Sequence, residues 1–139
     1  DSEVRQPVVL DGKPESKARG QAFVADLVAE GGTQLHNAVL AGRDWLANSG
    51  KANEIRAVVV LTDGQDSGDG VSLDQLQKEL SSTGFESDER IAVFSVGYGQ
   101  SGSFDATTLQ ALAKGNGGEF VQGTPETIRN LMNNLQLAF

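Results

Sequence analysis

One stretch constrains this chain more than any other: Ile55-Arg56-Ala57-Val58-Val59-Val60-Leu61-Thr62-Asp63-Gly64. Apolar residues run without a break from Ala57 to Leu61, and the chain then turns polar at Thr62-Asp63-Gly64. A strand with one wet face alternates apolar and polar residues. An unbroken run rich in β-branched residues instead predicts a strand buried on both faces, as in a parallel sheet between helices. In such sheets ligands sit beyond the carboxyl ends of the strands, near the point where strand order reverses. Asp63 falls there. Taken alone it reads equally as the first residue of an Asp-Gly turn.

The rest of the chain alternates around that strand. Val4 to Leu10 carries the apolar run Pro7-Val8-Val9-Leu10 and is read as a short strand ended by Asp11-Gly12. Pro14 suits a first helical turn. A helix is expected from about Glu15 to Glu30, with Phe23, Val24, Leu27 and Val28 at helical spacing and Gly31-Gly32 stopping it. Leu35, Ala38, Val39, Gly42, Trp45 and Leu46 mark a second helix. Thr33 stands at its start, where the simplest role is an N-cap. His36 in the first turn reads as a partly exposed surface residue, and Trp45 reads as core.

After Asp63 comes an acidic, glycine-rich loop through Gly70. It departs from a calcium-binding helix-loop-helix, because Gln65 and Ser67 replace the usual acids and a buried strand precedes it. Asp66 and Asp69 read as residues of a solvated loop. Ser72-Leu73-Asp74-Gln75 fits a capping box, with Leu73, Leu76 and Leu80 on one face of the helix that follows. Ser81 to Glu89 is read as a loop. Ile91 to Val96 forms a second buried strand ending in Gly97-Tyr98-Gly99. Asp105 caps a helix bearing Leu109, Ala111 and Leu112, ended by Gly115 to Gly118. Glu119 to Gln122 is a last strand. Thr124-Pro125 opens a final helix that buries Ile128, Leu131, Met132 and Leu135. Strands alternating with helices imply an α/β fold with a mainly parallel, doubly wound, Rossmann-like sheet flanked by helices.

At 139 residues the chain is read as a single domain, residues 1–139, able to bury a core without covalent staples. The absence of cysteine removes disulfides and thiolate metal sites. A net charge of −8 and the lack of a basic cluster argue against nucleic acid, whose phosphates require clustered Lys and Arg. The same charge suits cations. No apolar run approaches the ~18 residues of a membrane-spanning helix.

Three segments then coincide: Gly31-Gly32-Thr33-Gln34-Leu35 before a helix, Val59-Val60-Leu61-Thr62-Asp63-Gly64 ending the central strand, and Phe94-Ser95-Val96-Gly97-Tyr98-Gly99 ending the next. With Leu109 to Gly118 before the last strand, this ordered set resembles a von Willebrand factor type A domain, of the kind found in bacterial extracytoplasmic proteins. The resemblance covers Val4 to Phe139. It implies a divalent cation, Mg²⁺ or else Mn²⁺ or Ca²⁺, at the carboxyl edge of the sheet, in a metal-ion-dependent adhesion site. Thr33 would be its threonine ligand and Asp63 its aspartate ligand, the latter often through water. A remaining coordination position would accept a carboxylate from a partner protein. The implied compartment is extracytoplasmic, secreted or membrane-anchored.

The family's first metal loop, Asp-x-Ser-x-Ser, is not found. Asp1-Ser2-Glu3 has the wrong spacing, and Asp11 to Ser16 has neither the spacing nor a long buried strand ahead of it. The family's first strand, first helix and second strand are expected to be missing ahead of Val4, so that the chain is a C-terminal portion of the fold. The strand ending at Asp63 would then present an unpaired edge, to be filled by another chain or by the missing segment. Metal binding by this chain alone is expected to be weak or absent.

Two functions follow from this reading. One is a non-enzymatic protein-binding module of adhesion or assembly type, metal-assisted when complete. The other is a metal-free structural domain in which Thr33 is a cap and Asp63 a turn residue. A nucleotide-using enzyme is disfavoured by the lack of Gly-x-Gly-x-x-Gly, Gly-x-x-x-x-Gly-Lys and Gly-x-Ser-x-Gly motifs. A single His and no Cys also leave few nucleophile–base pairs.

Overall fold

The β-branched run does become a strand, and it sets the layout of a computed structural model that describes residues 8–27, 33–49, 56–68, 70–82, 91–100 and 102–138. The elements are α1 (Pro14–Ala25), α2 (Leu35–Ser49), β1 (Arg56–Thr62), α3 (Leu73–Ser82), β2 (Ile91–Tyr98), α4 (Ala106–Gly115), β3 (Phe120–Gly123) and α5 (Pro125–Ala138). The chain divides into two compact units, one running to Gly32 and one essentially from Thr33 onward.

In the first unit, Pro14 opens α1 at a position where a missing backbone N–H costs nothing. The Ser16 hydroxyl donates to the Lys13 carbonyl (2.9 Å), and Ser16 is the residue that α1 buries. The expected strand is not formed at Val8–Leu10, which are irregular and exposed; Val4 to Pro7 lie outside the described residues. The helix also ends at Ala25, before the expected Glu30. Phe23, Val24 and Leu27 share helical spacing, yet all three are exposed. Spacing of this kind identifies a stripe, but a partner surface decides whether it is buried.

The second unit holds a three-stranded parallel sheet in the order β1-β2-β3. Arg56 pairs with Ile91 and Thr62 with Gly97; Ser95 pairs with Phe120 and Tyr98 with Gly123. α3 and α4 are the crossovers that parallel pairing requires. Leu35 and Val39 of α2, Val60 of β1, Leu76 and Leu80 of α3, Val93 of β2, and Phe104, Leu109 and Leu112 around α4 form one core cluster. Each Leu of this set, fully buried, contributes roughly 1.5–3 kcal/mol relative to exposure. Ser95, buried among them, is satisfied by donating its hydroxyl to the Leu109 carbonyl (2.8 Å).

The double-sided burial expected for β1 is only half realised. Val60 is buried, Ala57 to Val59 are half-buried, and Leu61 is 58% exposed. Among the described residues β1 pairs with β2 alone, so it is an edge strand, and α5 packs on β3 at the far side of the sheet. Met132 of α5, expected inside, is 40% exposed, whereas Leu131 is buried. Trp45, also expected in the core, is 38% exposed on α2. α3 continues to Ser82, taking the first two residues of the expected loop; the remainder of that loop lies outside the described residues.

The ends of α3 and α4 follow their local chemistry. The Ser72 hydroxyl accepts from the Gln75 backbone N–H (3.2 Å), which is the N-cap half of the expected box. The Asp105 carboxylate accepts from the backbone N–H of Thr107 and Thr108 and from the Thr108 hydroxyl. At the other end of α4, Gly117 takes φ +69° and Gly118 lies so close to the sheet that an added Cβ would collide with the Val93 carbonyl.

Three outcomes are expected in equilibrium unfolding. Gly118→Ala, forced against backbone, should destabilise by roughly 1–3 kcal/mol. Gly115→Ala, at the open end of α4, should be neutral or stabilising by up to about 1 kcal/mol. Asp105→Ala should cost about 1 kcal/mol at pH 7. The Thr108 hydroxyl, then the Thr108 and Thr107 N–H groups, hold the Asp105 carboxyl below its ordinary value. Its contribution is therefore complete above the unfolded value of about 3.9 and is lost as pH falls through the lower folded value. Melts of the two proteins should converge in acid; a constant offset down to pH about 2 would contradict the cap.

Candidate functional site

Parallel strands deliver their carboxyl ends to one rim, and the loops leaving β1 and β2 meet there. β1 ends in a turn that Thr62 closes: its hydroxyl donates to the Gly64 carbonyl (3.1 Å) and accepts from the Gly64 N–H (3.2 Å). Asp63, at the corner, is exposed, and among the described residues no hydrogen bond or ion pair engages its carboxylate. Thr33, ahead of α2, is half-buried against the same turn. A Cβ placed on Gly64 would stand 3.1 Å from Thr33 Oγ1, so the hydroxyl lies directly against the residue that follows Asp63.

The two expected metal residues thus share one rim. The carbonyl of Thr33 accepts from both the backbone N–H (2.8 Å) and the hydroxyl (3.0 Å) of Ser67. The β2 loop joins through Gln65, whose side-chain amide donates to the Gly102 carbonyl (3.3 Å). Tyr98, the last residue of β2, is half exposed beside this loop. Among the described residues no three His, Cys, Asp or Glu side chains converge as a metal-binding group.

The N-cap role expected for Thr33 is filled otherwise. The Gln34 carbonyl accepts the first helical bond of α2, from Ala38 (3.0 Å). The N–H of His36, an orphan donor of the first turn, is taken by the Asp66 carboxylate (3.1 Å), thirty residues away in sequence. Asp66 also accepts from the Gly68 N–H (2.9 Å). Burial works against its charge, but the N–H groups of His36 and Gly68 outweigh it, and the carboxyl titrates below its ordinary range. Asp66 is therefore a bonded, half-buried residue rather than part of a solvated loop. Asp69 lies outside the described residues.

His36 departs from expectation in the same way. It is 9% exposed, and its Nδ1 lies 2.8 Å from the Val71 carbonyl. A carbonyl only accepts, so Nδ1 carries the proton, and Nε2 is buried without a partner among the described residues. Asn37 completes the contact, its side-chain carbonyl accepting from the Val71 N–H (3.1 Å). Neither His36 nor Asn37 stands in a recognisable motif with Val71; only the approach of the loop to α2 reveals the pairing.

A model of the family described as von Willebrand factor type A domain matches residues 2–134. Among solved structures, one described as von Willebrand factor type A from Catenulispora acidiphila is similar at 21% identity and a TM-score of 0.65. That match covers 85% of this chain and 26% of the other, and at such identity it shows a shared fold. None of the curated proteins compared matches the chain. With the family model spanning nearly its whole length, the chain belongs to the von Willebrand factor type A domain family.

Proposed function

We propose that this chain is a non-enzymatic protein-binding module whose partner contact is assisted by a divalent cation held at the rim by Thr33 and Asp63. Membership of a family of interaction modules supports the general function. The observation that carries the cation reading is the position of the Thr33 hydroxyl against Gly64, the neighbour of an Asp63 that is exposed and, among the described residues, unbonded. One hydroxyl and one carboxylate fit Mg²⁺, which keeps several waters and takes few protein oxygens; Mn²⁺ and Ca²⁺ accept the same donors. Bound there, the cation would supply an open position for a partner's carboxylate. Thr33 and Asp63 would hold it, and the Thr62 turn would keep Asp63 at the corner.

Two ligands make a weak site, so tighter binding would need oxygens from beyond these two residues. The edge that β1 presents among the described residues offers a place for such a segment or for another chain to pair. An acidic chain without a basic cluster disfavours nucleic acid as the partner. Among the described residues no helix is long and apolar enough to cross a membrane. An extracytoplasmic location, in a secreted or anchored protein, accords with the resemblance to bacterial members of the family.

A metal-free structural or assembly role is the second reading. It is favoured by the absence, among the described residues, of three converging acids or histidines. Titration of the isotope-labelled chain with Mn²⁺ separates the two. The cation reading expects broadening of the Thr33 and Gly64 amides with a Kd of about 1 mM or weaker, at the weak end for oxygen sites. Asp63→Ala should abolish it while leaving stability within about 0.5 kcal/mol, since Asp63 is exposed. Broadening that persists in Asp63→Ala removes Asp63 as a ligand, and none at all in the wild type leaves the metal-free role.

A further inference from the structure

Asp66, Ser67 and Val71 are fastened to Thr33 and the first turn of α2 by several hydrogen bonds. Ser67 donates twice to the Thr33 carbonyl, His36 N–H donates to Asp66, His36 Nδ1–H donates to the Val71 carbonyl, and the Val71 N–H donates to Asn37. Gly70 crosses over Asn37 so closely that a Cβ there would stand 2.6 Å from the Asn37 side-chain nitrogen. No element of this contact is local in sequence; each bond spans about thirty residues or more.

Asp66 is the acid in this arrangement, and each of its oxygens accepts a backbone N–H. Oδ2 accepts from the His36 N–H, and Oδ1 accepts from the Gly68 N–H and stands 3.8 Å from His36 Nδ1. A cation there would have to share an oxygen with one of these backbone donors, beside the otherwise unpaired N–H at the start of α2. Asp63, three residues earlier, has no such commitment among the described residues.

We propose that Asp66 is a positioning residue: it caps α2 from across the loop and so holds Asp63 and Thr33 at a fixed separation, without being a cation ligand itself. Asn37 and His36 are the receiving groups on α2. The proposal deepens the cation reading and rests on it only for its metal arm. Two neighbouring acids of one loop thereby have separate work, Asp63 toward the partner side and Asp66 toward the fold.

Amide hydrogen exchange of the whole 139-residue chain tests this without any metal. Asp66→Asn leaves one acceptor oxygen where two are used. It should speed exchange of His36, Ser67, Gly68 and Val71 by about tenfold or more, as expected for losing a buried partner, with Val96 and Leu109 unchanged. Asp63→Asn should leave all of these at the wild-type rate. Asn37→Ala keeps the test open where Asp66→Asn does not fold; it should speed Val71 alone. Exchange of His36 and Gly68 within about twofold of wild type in Asp66→Asn overturns the proposal. The metal arm adds a readout that loosening alone would not give. Mn²⁺ broadening in Asp66→Asn should stay centred on Thr33 and Gly64 but need several-fold more metal. In the wild type, broadening centred on His36 and Gly68 would make Asp66 a ligand and overturn the proposal. Failure of Mn²⁺ to bind the wild type defeats the cation reading, and the exchange arm still decides whether Asp66 positions the loop.

Discussion

Parallel pairing of β1 with β2, from Arg56–Ile91 to Thr62–Gly97, is the constraint from which the rim follows. Parallel strands must be joined by crossovers, and here α3 and α4 supply them on the face where the core forms. The pairing puts the carboxyl ends of both strands side by side, so the loops after Thr62 and Tyr98 cannot avoid one another. The rim is thus a geometrical result of the sheet.

What the rim does depends on where its polar groups find partners. A buried donor left unpaired costs about 1–3 kcal/mol, which makes the first turn of α2 a demanding neighbour. Asp66 meets one of those donors, and Asn37 and His36 meet the backbone of Val71. Asp63 is left facing solvent and Thr33 lies against Gly64. A loop satisfied on its inner side and open on its outer side suits recognition, because its shape is set before a partner arrives.

Exposed apolar residues tell a complementary story. Leu61 and Tyr98 stand at 58% and 50% exposure on the strands, and Val24 and Leu27 are exposed in the other unit. The apolar run at Ala57–Leu61 was legible as a strand, yet its burial depends on neighbours that a single strand does not carry. Trp45 and Met132 show the same gap: each has helical spacing with core residues, and each lies at the margin of its helix's buried stripe. His36 is the reverse case, a polar residue drawn inside because Val71 supplies a carbonyl at its ring nitrogen.

Local chemistry in the chain was enough to determine the alternation of elements from α2 onward, the caps at Ser72 and Asp105, the Pro125 start of α5 and the parallel class of the sheet. Spacing placed Thr33 and Asp63 beside helix and strand boundaries, and the resemblance to the family offered them as cation ligands. Tertiary structure alone decided that Asp66 caps α2, that His36 is buried, that β1 is an edge among the described residues, and that Val8–Leu10 form no strand. The physical reason is distance along the chain. Caps, turns and periodicity act over a few residues, whereas a carboxylate thirty residues from its N–H partner is paired only once the sheet has brought the two loops together.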